Sequence, residues 1–237
     1  MYGLQFSDIY ARVQDYANIT NIEGSAAKAK IAVNDALRRI AADRRWLALR
    51  RTGTITPVTS QQAYALTSLT GFNYPVRAYY VSNGLEQPID IVSEDIWAKY
   101  SDNSNVGDPC ICAFLDVSGT PKIYLSPLPS SSFVSQYGTI YIDYDKKPTE
   151  LSADADIPEI PNTNSQMALV YYAVSELCLK QSDLSGATAW EAKGQLELNK
   201  FIKADINFRG MKRKQGRPMF GILSGVYSNR VSQDYKE

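Results

Sequence analysis

Two pairs of carboxylates have the spacing that hydrolytic chemistry would use: Asp143 with Asp145 in TIYIDYD, and Asp154 with Asp156 in LSADADIPEIP. A glycosidase needs two carboxyls held across one cleft. Asp143 and Asp145 alternate along a strand-like run, however, and read more simply as a solvated strand edge. Asp154, Asp156 and Glu159 invite a calcium reading, but an EF-hand loop needs more ligands and a central glycine that this stretch lacks. The chain has no histidine. That removes the usual acid–base group near neutral pH, the Ser–His and Cys–His nucleophile pairs, and the commonest metal ligand. Cys110 and Cys112 would lie on the same face of a strand, a spacing that seldom forms a disulfide. Together with Cys178 they are too few for a zinc site, so all three read as buried or incidental thiols. No catalytic residue, cofactor or metal is expected, and the chain reads as a non-enzyme.

What remains is charge. Lysines and arginines balance acids over the 237 residues, so no global field steers the protein toward nucleic acid or membrane. The distribution is uneven. Residues 208–237 hold seven Lys/Arg and two Asp/Glu, a local +5, which leaves −5 on residues 1–207. A second concentration is Arg38, Arg39, Arg44, Arg45, Arg50 and Arg51, either a surface for phosphate or an acidic partner, or a solvated helix end favoured by its dipole. Trp46 among them would cover a core edge or stack at an interface. In the C-terminal stretch the cations Arg209, Lys212, Arg213, Lys214 and Arg217 precede the apolar anchors Met219, Phe220, Ile222, Leu223, Val226 and Tyr227. Cations at one end and pegs at the other fit a segment that orders on a partner better than plain disorder or nucleic-acid binding.

Helical periodicity places these groups on two N-terminal helices. The first takes Phe6, Ile9, Val13 and Tyr16 inward behind a Ser7 cap; the second, from about Ser25 to Leu49, takes Ile31, Val33, Leu37, Ile40 and Leu47. From Thr52 to Asp145 the period falls to two. Thr52–Val58 and Ala63–Thr67 predict one hairpin, and Asn83-Gly84 is the strongest turn signal of another. Ser93-Glu94-Asp95 opens a short helix. SDNSNVGDP and PLPSSSFVSQYG read as loops, and about seven strands make an antiparallel body, a sandwich or small barrel. Prolines 148, 158 and 161 keep the acidic connector extended. Thr163 and Gln166 form a capping box for a helix with Met167, Val170, Val174 and Leu177 as its stripe, and Ser185 caps the next. The short link makes these two helices antiparallel. Gly194, among Ala187, Trp190, Leu198, Phe201 and Ile202, predicts a close helix–helix approach. The fold class is α+β: helices over residues 1–51, an antiparallel β-body over 52–150, a connector and helical hairpin over 151–207, and an extended arm over 208–237.

The order of these features resembles the head–tail adaptor (connector) proteins of tailed bacteriophages. The resemblance is carried by NDALRRIAADRRWLALRRTGTI, YPVRAYYVSNG, KIYLSPLPSS, IYIDYDKKPTELSADADIPEIP and QMALVYYAVSEL, which together span about Ala26–Lys203. It implies that residues 1–51 and 151–207 join in one helical bundle with 52–150 as an inserted β-domain, and that the chain is a structural virion protein at the head–tail junction, in a twelve-fold ring between the portal protein and the tail tube or nozzle proteins, closed by head-to-tail surfaces. DNA would pass through the channel without sequence readout. The arm 208–237 would dock on the portal, and the six arginines would serve subunit contacts or line the channel. With no signal-peptide pattern and no apolar run long enough to span a bilayer, synthesis in the host bacterial cytoplasm and no membrane partner are expected. The alternative is a carbohydrate or host-surface module, which would want aromatic clusters on its loops, whereas SDNSNVGDP and PSSSFVSQ are small and polar.

Overall fold

The computed structural model describes residues 3–20, 22–100, 104–161 and 165–215, with backbone alone at 117 and 208–215. Its fold is α+β, with two separate hydrophobic cores. The first is helical. Helix α1 (Phe6–Tyr16) buries Phe6, Ile9 and Val13, one face at helical spacing. Its N-cap is Gln5, paired reciprocally with Asp8, rather than Ser7. Helix α2 (Ser25–Asp43) buries Ala29, Ala32, Val33, Ala36, Leu37 and Ile40. Ile31, expected inside, is 57% exposed, because the small residues and not the largest apolar one mark the packed stripe. The helix also stops at Asp43, short of Leu49. The Trp46 indole N–H donates to the Ile40 carbonyl at 2.8 Å, satisfying one of the orphan acceptors of the last turn. A 3-10 turn (Leu47–Leu49) follows, and Arg50 begins a strand.

Helices α5 (Met167–Lys180) and α6 (Leu184–Gln215) form the antiparallel hairpin. Instead of one stripe, α5 is buried almost all round, since α1, α2 and α6 all pack on it. Thr163 lies outside the described residues. Gln166 makes no cap and instead accepts from the Leu4 N–H at 2.5 Å. The α6 N-terminus is capped by Asp183, whose carboxylate accepts from Gly186 N–H at 2.9 Å, not by Ser185. Gly194 does mark the close approach: a Cβ there would sit 3.3 Å from the Tyr172 ring. Helix α6 continues to Gln215, eight residues past Asn207, so the arm expected from 208 begins as helix.

The second core lies inside a seven-stranded sheet of order β1-β9-β3-β4-β6-β7-β2, curled into a half-barrel. Its strands are β1 (Arg50–Ile55), β2 (Ala63–Ala65), β3 (Phe72–Ser82), β4 (Leu85–Ile91), β6 (Ile111–Val117), β7 (Thr120–Ser126) and β9 (Ile140–Lys146). The two-residue strands β5 (Val106–Gly107) and β8 (Leu128–Pro129) pair separately. The sheet is mixed rather than antiparallel, because β4 runs parallel to β6. The predicted first hairpin does not form: β1 pairs with β9 and β2 with β7, at opposite edges. The Asn83-Gly84 hairpin does form, both residues taking positive φ. Helix α3 (Glu94–Trp97) appears after Ser93 as expected, while SSSFVSQY yields helix α4 (Ser131–Tyr137), which buries Phe133 behind a Ser130 cap. In this segment serine supplies the cap and Phe133 the anchor, so a loop-like composition folds as helix.

The acidic connector straps the helices together. Phe6 N–H donates to Asp156 O and Ser7 N–H to Asp154 O, Asn34 bonds both backbone groups of Leu151, and Ile160 is wholly buried. Asp154 takes an ion pair from Lys30 at 2.8 Å, and Asp156 accepts from Ser152 and Ala153 N–H at 2.8 Å each. These bonds hold both carboxyls below the ordinary range, chiefly through Lys30 for Asp154 and the Ser152 N–H for Asp156. They are structural fastenings rather than calcium ligands.

Replacing Gly194 by Val should destabilise the protein by about 2 kcal/mol, since Tyr172 is fixed from behind by Arg39; thermal or urea unfolding reads it. The lowered carboxyls give a second expectation with a definite sign. Their contribution is present above the usual carboxylate pKa of about 4 and is lost as pH falls through the lower folded values. A carboxyl-carbon NMR titration should place Asp154 and Asp156 below the ordinary carboxylate range, and Asp154→Asn should remove the rise that the Asp154 hydrogen bond gives the Lys30 ammonium pKa.

Candidate functional site

Of the residues singled out for chemistry, Asp143, Asp145, Arg45, Arg50 and Arg51 gather where the helical body meets the sheet. Asp143 and Asp145 sit on the outward face of β9, opposite Ile140, Ile142 and Tyr144, which fill the sheet core. They are not a solvated edge. Strand β9 lies between β1 and β3, and both carboxylates are buried. Burial of a charge is tolerated only with partners, and the neighbouring strands supply them. Thr52 on β1 donates to Asp143 at 2.6 Å, and Arg77 on β3 at 2.5 Å. Arg77 is also held by Glu86 at 2.5 Å; Glu86 first and Asp143 second keep its guanidinium still more firmly protonated. Arg50 donates to Asp145 Oδ1 at 3.3 Å. Asp145 Oδ2 is 3.9 Å from Arg45, an ion pair by distance but too long for a hydrogen bond.

The six arginines therefore do not form one helix face. Arg38 pairs with Asp35 and Glu150, Arg39 with Glu191, and Arg44 with Asp43. Arg45 and Arg50 flank Asp145, and Arg51 meets Glu159 of the connector at 3.1 Å. Lys146 joins the same Glu159 at 2.8 Å. Arg45 and Arg51 thus cross the seam, one from the helical side to the sheet and one from the sheet to the strap. Trp46 is fully buried and stacks on Phe201 at 4.5 Å between ring centroids. Leu47 N–H donates to Asp205 at 3.2 Å, fixing α6 against the same turn. A cavity of about 510 Å³ remains beside this turn, lined by Arg44, Arg45, Trp46, Asn73, Tyr74 and Asp145.

The cysteines behave as expected for incidental thiols. Cys112 and Cys178 are buried and Cys110 is exposed, and burial pushes the Cys112 thiol up to about 12. Among the described residues no group of three or more His, Cys, Asp and Glu could hold a metal ion, and no helix is long and apolar enough to cross a membrane. Aromatic clusters lie on helices and strands: Tyr16, Tyr171 and Trp190 stack, with Lys193 over Trp190 at 3.9 Å, Phe72 meets Phe114 and Tyr144 on the sheet, and Tyr80 meets Phe133 and Tyr137 of α4. Of the C-terminal cations, Arg209, Lys212, Arg213 and Lys214 belong to the backbone of α6, while Arg217, Met219, Phe220, Ile222, Leu223 and Tyr227 lie outside the described residues. Sequence reading missed Arg77 and Tyr74, which contact Asp143 and Arg45 respectively; both sit in an ordinary strand run with no local signal.

Compared with known proteins, the chain matches a family model described as SU10 adaptor protein over residues 4–216. No curated protein sequence matches it.

The seam generates a stability expectation. Asp145→Asn leaves Arg45 and Arg50 facing a neutral buried amide and should cost about 2 kcal/mol, less than the roughly 3–5 kcal/mol of a fully buried broken pair because both arginines reach water. Arg45→Ala, on the exposed side, should cost under about 1 kcal/mol. Urea denaturation of the three proteins side by side checks the order.

Proposed function

The chain belongs to the SU10 adaptor protein family, a family of phage head–tail adaptors, and on that premise we propose that it is a structural virion protein whose copies form a ring joining the portal to the tail. The observation that carries this reading is the extent of the match. It runs from the start of α1 to the end of α6 and takes in both cores and the strap, so it concerns the whole architecture rather than one module.

The chemistry of the seam is in keeping with a non-enzymatic role. The carboxylate pairs that a hydrolase would need free are engaged: Asp143 and Asp145 by arginines, Asp154 by Lys30, and Asp156 by backbone N–H groups. We assign the ring a twelve-fold symmetry, with DNA passing through the centre and read by no base contact. Arg38, Arg39, Arg45 and Arg51 are each half-exposed while bound to a carboxylate of their own chain. A pre-neutralised guanidinium attracts phosphate weakly but can still share a proton with a neighbour's carboxylate or carbonyl, so these residues are proposed for subunit contacts before the channel wall. The portal is proposed to receive the C-terminal region. Helix α6 extends ten residues past Asp205, about 15 Å, and delivers Arg209, Lys212, Arg213 and Lys214, with Arg217 and the apolar run Met219–Tyr227 to follow. The tail tube or nozzle proteins would meet the opposite side of the ring.

Co-sedimentation with the cognate portal protein tests the reading. The full chain should assemble as a ring on the portal, and a chain ending at Gln215 should not. Failure of both to bind would overturn the adaptor assignment; equal binding would remove the C-terminal run from it.

A further inference from the structure

A cavity of about 360 Å³ opens between the α1–α2 turn, the first turns of α2 and the end of α5, at the opposite end of α2 from the charged seam. Ile22, Ile31 and Leu177 form apolar walls, Lys28 and Lys180 stand in the lining, and no carboxylate does. Ile22 and Ile31 are each about half exposed, as is Leu179 in the adjoining last turn of α5. Exposed isoleucines around a concavity mark a surface built to be covered. A cavity of about 150 Å³ already holds a benzene-sized group, so one branched side chain enters this one with room to spare. Among the described residues neither lysine makes a direct ion pair in its own chain, in contrast to Lys30, Lys146 and Lys200. The complement of this cavity is an apolar side chain with carboxylates beside it.

The same chain carries such a group on its sheet. Ile96 of α3 is exposed, and the two residues before it, Glu94 and Asp95, are exposed and, among the described residues, in no direct ion pair. Lys99, one turn on, still leaves this tip with a net negative charge. The helix is held from below: Trp97 is buried and meets Tyr124 at 5.9 Å between ring centroids, so the knob is presented without the cost of ordering it. Leu85, Ile157 and Leu196 also stand beside acids, but Glu86 is held by Arg77, Asp156 by backbone N–H groups and Glu197 by Lys200. We propose that α3 of one copy docks in this cavity of a second copy, with Ile96 between Ile22 and Ile31 and with Glu94 and Asp95 against Lys28 and Lys180. Cavity and knob lie on different elements, the knob being packed on β6, so the contact is heterologous: each copy gives its knob to one neighbour and its cavity to another. It rests on the ring reading for its role, since the same contact without closure would run on as a filament.

The test mixes two versions of the isolated full chain, both with Cys110→Ser, which leaves Cys112 and Cys178 buried. One carries Ile96→Cys and the other Ile31→Cys; Val58→Cys, at an equally exposed position outside the cavity, replaces Ile31→Cys as the control. Under mild oxidation the Ile96→Cys and Ile31→Cys chains should join by a disulfide between molecules roughly tenfold faster than the control pair, read by non-reducing electrophoresis and peptide mass spectrometry. Lys28→Glu with Lys180→Glu on the cavity chain should bring the rate down to the control's, and Glu94→Lys with Asp95→Lys on the knob chain should then restore it. Equal rates for the two pairs, or no restoration by the double reversal, overturns the proposal. Because no portal is present, failure here is distinct from failure of co-sedimentation.

Discussion

Everything in this molecule hangs on carboxylates buried on the wrong side of a strand. Strand β9 spends Ile140, Ile142 and Tyr144 on the sheet core and buries Asp143 and Asp145 on its other face. A buried carboxylate is costly alone and acceptable when fully paired. That requirement dictates what must surround it: Thr52 and Arg50 on one neighbouring strand, Arg77 on the other, and Arg45 on the segment leaving α2. Among the described residues the two buried hydrophobic clusters do not merge, and the ion pairs of Arg45 and Arg51 cross the boundary between them.

The chain's route through the structure follows from this. The N-terminal helices and the α5–α6 hairpin belong to one core although more than a hundred residues separate them, and the connector closes the circuit by returning along α1 and α2 through Asn34, Lys30 and the Phe6 and Ser7 amides. An insertion of this kind needs both its ends close together. Arg50 and Asp145, the entry and exit of the sheet, are register partners at its edge.

Much of this was readable beforehand, and the rest failed for identifiable reasons. The β-rich body, the Asn83-Gly84 turn, the inward set of β9 and the helical hairpin with its close approach at Gly194 all follow from local patterns, which the structure obeys. Non-local pairing is not local information. Nothing in Thr52–Thr67 states that β1 will join β9 and β2 will join β7, so the adjacent runs were read as a hairpin. The arginines were visible, but their partners lie up to about 150 residues away, as with Arg39 and Glu191, so a run of cations could not be distinguished from a network of closed pairs. Helix α2 was read too long because the signal that stops it, an indole donating to Ile40, is a tertiary contact.

The division into two cores with a charged boundary has a mechanical meaning. Packed hydrocarbon resists shear through close fit and is little affected by ions, whereas ion pairs reaching water weaken as salt screens them. The boundary between the helical body and the sheet is held by ion pairs whose arginines reach water, so it is more sensitive to ionic strength than either apolar core.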